Sequence, residues 1–103
     1  MESLPEHYRK LQGRYATVLE RLGELSQAAA KAGPLDAKTA HLVQLAAAAA
    51  LRAEGAVHSH TRRALDAGAT EEEVRHALIL LTSTLGFPTV SAALSWADDI
   101  LEG

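Results

Sequence analysis

The chain has 103 residues, of which 48% are hydrophobic and 22% charged, with a formal net charge of −3 and no cysteine. That is enough for one hydrophobic core and too short for two, and without a thiol the chain cannot carry out thiol redox chemistry on its own. The longest apolar run, Leu45 to Leu51, falls far short of the roughly 20 residues of a membrane-spanning helix, and basic residues gather no further than pairs such as Arg62-Arg63, so neither a membrane nor nucleic acid is an expected partner.

The chain opens Met1-Glu2-Ser3-Leu4-Pro5-Glu6, without the basic start and apolar stretch of a secretory signal, and a cytoplasmic location is expected. From Pro5 to about residue 32, Tyr8, Leu11, Tyr15, Val18, Leu22 and Leu25 alternate spacings of three and four, the seam of a heptad. This predicts one long amphipathic helix, opened by Ser3 and Glu6 at capping-box spacing and stopped by Gly33-Pro34. At 1.5 Å per residue it would reach roughly 40 Å, long for so small a domain, so part of its seam is expected to meet a second subunit. The alternative is that the whole stripe packs on its own chain.

A second helix is predicted from an Asp36 N-cap through Leu42, Leu45 and the run Ala46 to Ala50, ending near Arg52. Arg52-Ala53-Glu54-Gly55 is read as a turn or kink, and a third helix should run from about Ala56 to Ala67, closed by a left-handed Gly68. Thr70 and Glu73 have capping-box spacing at the start of a fourth helix. Its stripe of Val74, Ala77, Leu78, Leu81 and Leu85, widened by Ile79 and Leu80, marks it as the most buried and central element. Gly86-Phe87-Pro88 breaks it, and Val90, Leu94, Ala97 and Leu101 give the last helix its stripe. The expected class is all-α, one domain over residues 1–103 with about five helices. An alanine-rich core buries little area per residue and leaves a monomer marginal, which oligomerisation would relieve.

Histidine is the side chain whose ordinary pKa lies nearest neutrality, so the search for an acid or base starts with the five imidazoles. His7 sits on a polar first turn, and His76 follows Glu72 by four on a partly exposed face. His58 and His60 are two residues apart on one helix, about 200° around it, so one should face in and the other out, and they cannot share a metal ion. Ala64 and Gly68 continue from His60 at spacings of four, a face of small residues that marks His60 as the inward one. It is then either a packed histidine satisfied by one hydrogen bond or a catalytic group. No HxxxH or HExxH spacing occurs, and neither a metal nor a cofactor is expected.

The order His60, Ala64, Gly68-Ala69-Thr70-Glu71-Glu72-Glu73-Val74 and then Gly86-Phe87-Pro88 resembles the carboxymuconolactone decarboxylase-like family, which includes the AhpD-like alkylhydroperoxidase proteins. The likeness runs from about Leu35 to Ala97, and the first helix adds little to it. It implies an all-α AhpD-like fold that assembles as a homo-oligomer, a trimer or hexamer, with sites between helices near subunit contacts. The redox branch of that family carries CxxC ahead of the histidine and a relay glutamate further upstream. Here the cysteine positions hold Ala53 and Ala56 and the glutamate position falls on His41, so the thiol peroxidase cycle lacks its nucleophile. The decarboxylase branch, which needs no cysteine, commonly has a tyrosine before Gly-x-Pro and a glutamate where Thr84-Leu85 and His76 stand here.

The reading that follows is a decarboxylase-like or lyase-like enzyme without cysteine. His60 and His41 are its catalytic pair, acting as general acid and base on a small carboxylated or lactone-like substrate. Arg62 or Arg63 would bind the substrate carboxylate through a bidentate fork, the alternative being a solvated surface pair. Competing with this enzyme are a non-catalytic oligomer that binds a partner or ligand, and an accessory of an alkylhydroperoxidase-type antioxidant system.

Overall fold

A computed structural model describes residues 5–103. Among them seven helical segments occur and no strand: α1 (Glu6–Arg14), α2 (Ala16–Lys31), α3 (Ala37–Ala50), α4 (Glu54–Asp66), α5 (Glu71–Ile79), α6 (Thr82–Leu85) and α7 (Phe87–Leu101). The chain forms two compact units, one reaching to Pro34 and one from Leu35 to Gly103. No helix is long and apolar enough to cross a membrane among the described residues.

In the first unit the expected helix over residues 5–32 is two helices. Tyr15 leaves the helical region (φ −129°, ψ 46°) and separates α1 from α2, just after Gly13, which weakens the preceding turn. Ser3, half of the expected capping box, lies outside the described residues. Neither α1 nor α2 has a fully buried side chain. The heptad seam is exposed, with Val18 at 63%, Leu22 at 50% and Leu25 at 65%.

In the second unit, α4, the predicted third helix, lies at the centre, packed on both α3 and α7; the predicted fourth helix, which begins at α5, was expected there and does not hold that place. The core is Leu45, Ala48 and Ala49 from α3, Val57, Thr61 and Ala64 from α4, Ala69, Val74 and Leu78, and Val90, Ala93 and Ala97 from α7. Half of these side chains are methyl groups, which lets helix backbones approach closely but removes little area from water. Asp36 caps α3 as expected, its carboxylate accepting from the Thr39 backbone N–H at 2.8 Å. The α5 capping box is complete: Thr70 Oγ1 accepts from Glu73 N–H at 3.0 Å and Glu73 Oε1 accepts from Thr70 N–H at 2.9 Å. Glu73 also meets Lys38 at 3.1 Å, joining the first turns of α3 and α5, and these bonds hold its carboxyl below the usual range.

The turn expected over Arg52 to Gly55 falls at its first residue: Arg52 has φ 53°, and Gly55 already lies inside the first turn of α4. Backbone bonds from Ala53 N–H to the Ala48 carbonyl and from Arg52 N–H to the Ala49 carbonyl, both 3.0 Å, make this a Schellman ending. Arg52 is further held by its bond to Thr89 Oγ1 at 2.9 Å. Gly68, at φ 102°, closes α4 with the same pair of bonds, to Ala64 and Leu65. The fourth predicted helix is interrupted after Leu80, because the Thr82 hydroxyl donates to the Ile79 carbonyl at 2.7 Å and competes with the helical ladder. Ile79 and Leu80, expected to widen the buried stripe, are 46% and 62% exposed.

Candidate functional site

His41 stands in the second turn of α3 and His60 in the middle of α4. The close packing of these two helices, over Leu45, Ala48, Ala49, Val57 and Ala64, carries the imidazoles toward each other. Nδ1 of His41 lies 3.4 Å from Nδ1 of His60, and the ring centroids are 5.6 Å apart with planes inclined by 33°. Two facing Nδ1 atoms need one proton between them, so in the neutral pair one ring carries Nδ1–H and the other Nε2–H. The contact is long for a hydrogen bond and short enough for a proton to pass after a small rotation of either ring. It commits one nitrogen of each ring and leaves each Nε2 for a further partner. Both residues are half-buried.

The electrostatics favour the neutral pair. Burial is the main cause pushing the pKa of each imidazole below its ordinary value of 6.5. The Arg63 guanidinium pushes both down further, and His60 is also lowered by His41. The Gln44 side chain acts the other way on His41. An imidazole held neutral near pH 7 stands in its base form, and the coupled pair can pass a proton between rings.

Arg63, one turn from His60 on α4, thus joins the pair through its charge. Arg62 follows His60 by two residues, about 200° around the helix. His58 points away from His60 as expected, but toward α7 and not into open solvent. Its side chain is 23% exposed and its Nε2 lies 2.9 Å from Asp99 Oδ2 on α7. Ala53 and Ala56 are both half-buried at the start of α4, keeping the helix without supplying a nucleophile. The approach of His41 to His60 had no local signal, since the residues are 19 apart; the family resemblance alone pointed to it. His7 and His76 are exposed.

Residues 16–99 match the model of the carboxymuconolactone decarboxylase family. The match begins at α2, further upstream than the likeness from about Leu35 read in the sequence. A solved structure, apo-lpg0406 from Legionella pneumophila, described as a carboxymuconolactone decarboxylase family protein, is similar to this chain with a TM-score of 0.79 and 27% identity. The similarity covers 93% of this chain and 86% of that one. Among curated proteins nothing matches. The family match over most of the chain and the shared helical fold agree: this chain belongs to the carboxymuconolactone decarboxylase family.

Proposed function

We propose that the protein is a cysteine-independent enzyme that moves a proton at a carbon next to a carbonyl in a small carboxylated or lactone-like substrate. The observation that carries this reading is the 3.4 Å approach of His41 Nδ1 to His60 Nδ1 at a half-buried position. His60 is the general base: its free nitrogen takes the C–H proton, the bonding pair moves into the carbonyl to give an enolate, and the proton returns to carbon or to a leaving group in the next step. His41 shares the positive charge that His60 gains. Arg63, whose charge already acts on both rings, is the arginine this reading assigns to hold the substrate carboxylate and stabilise the enolate.

The same reading makes the protein a homo-oligomer, a trimer or hexamer. Its support is the exposed seam of Val18, Leu22 and Leu25 on α2, a stripe that burial against a second copy would remove from water.

The test is a panel of small carboxylates and lactones in D2O, followed by NMR for solvent exchange at the carbon next to the carbonyl and for net turnover. Wild-type protein should exchange at least one class, and His60→Ala should lower the rate about 10²–10⁴-fold with native mass unchanged. Turnover retained in His60→Ala removes His60 from the chemistry. A wild-type protein inert toward the whole panel overturns the enzyme reading and leaves a non-catalytic binding protein.

A further inference from the structure

On the side of α4 turned away from His60, three side chains of different kinds converge. Glu54 and His58 are four residues apart and share a face of α4, and Asp99 reaches them from α7. One ligand atom from each, a carboxylate oxygen, an imidazole nitrogen and a second carboxylate oxygen, lies within 4.8 Å of both others. His58 Nε2 is already 2.9 Å from Asp99 Oδ2. We propose that Glu54, His58 and Asp99 bind a zinc-type divalent cation.

The geometry suits such an ion. Tetrahedral ligands at about 2.0–2.2 Å from a metal stand about 3.4 Å from one another, so the His58–Asp99 pair opens slightly and Glu54 closes in. Glu54 can do so because it is exposed and in the first turn of its helix. His58 cannot wander: its side chain is largely covered, on a helix anchored to α7 through a shared core. The donor set, one imidazole and two carboxylates, matches the borderline ions of the first transition row and does not suit a soft ion such as Cu(I). Three protein ligands leave a fourth position, and Glu54 and Asp99 are exposed, so water has access to it. The positive end of the α4 dipole near Glu54 opposes a cation, which sets an affinity below that of closed structural zinc sites. A bound ion would clamp α4 to α7 and hold the helix that carries His60.

The competing description is an ion-pair cluster in which His58 and Asp99 satisfy each other. Isothermal titration of the full chain with zinc chloride at neutral pH separates the two. The expected result is one ion per chain. Affinity should fall by about 10-fold or more in Glu54→Gln, an exposed position at which folding is not at risk, and in Asp99→Asn, and should be lost in His58→Ala. Binding should survive in the double variant His41→Ala/His60→Ala, which removes the other imidazole pair. Zinc should also raise the melting temperature of the wild type in a concentration-dependent way and leave that of Glu54→Gln little changed. Zinc binding absent from the wild type, unaffected by Glu54→Gln and Asp99→Asn, or abolished by the His41/His60 double variant would overturn the assignment.

Discussion

Individual side chains decide what the second unit can do. Each imidazole of the His41–His60 pair is pushed below 6.5 in the folded chain, so between the folded value and 6.5 the unfolded chain binds more protons and stability rises with pH. Acidification from neutrality should therefore begin to destabilise the protein just below pH 6.5. The lowered carboxyls of Asp36 and Glu73 add their own loss only at lower pH, as they protonate below 3.8 and 4.5. Denaturant titrations at a series of pH values check this: the double variant His41→Gln/His60→Gln should lose the first segment of the slope and keep the second. Thr61 makes a separate case. It is fully buried and its hydroxyl has no partner, a cost of about 1–3 kcal/mol, so Thr61→Val, which keeps the shape, should stabilise the fold by about 1 kcal/mol in the same assay. A loss instead would mean that the hydroxyl has a partner in solution.

Helix ends are where sequence and structure correspond most closely. Asp36, Thr70 with Glu73, and Gly68 were legible because caps and stops act through backbone groups a few residues away. Thr70→Ala removes one of the two capping-box bonds and should cost about 1 kcal/mol, a fall in melting temperature of about 4–8 °C for a domain of this size. Leu78, fully buried on α5, should cost about 2–5 kcal/mol when cut to alanine, because an alanine-rich core has few large side chains to close the gap. Boundaries set by side-chain competition were less legible. The bond from Thr82 to Ile79 splits α5 from α6, although the apolar periodicity runs on through Leu81 and Leu85. The turn over Arg52 to Gly55 was legible, but not that Arg52 rather than Gly55 takes the left-handed backbone, since Arg52 is supported by a bond to Thr89, 37 residues away.

For the molecule as a whole, the all-α class and the family followed from periodicity and from the motif between His60 and Pro88. The approach of His41 to His60 was legible only through the family resemblance, because periodicity alone does not say which helix faces meet. The rule that His58 and His60 point to different faces holds, but it could not reveal Asp99 waiting on α7 for the outer one. The exposed α2 seam gives the molecular-scale prediction. Leu22→Glu with Leu25→Glu should reduce the native mass measured by light scattering to that of a single chain, with helical content kept; an unchanged mass would place any subunit contact elsewhere. The proposed chemistry requires His41 and His60 to act as one proton-sharing unit under the charge of Arg63. NMR titration of the two imidazoles, with Arg63→Gln alongside wild type, reads this out. Two coupled steps with midpoints below 6.5 are expected, both rising in Arg63→Gln. Two independent titrations at the ordinary value of 6.5, indifferent to Arg63, would contradict it.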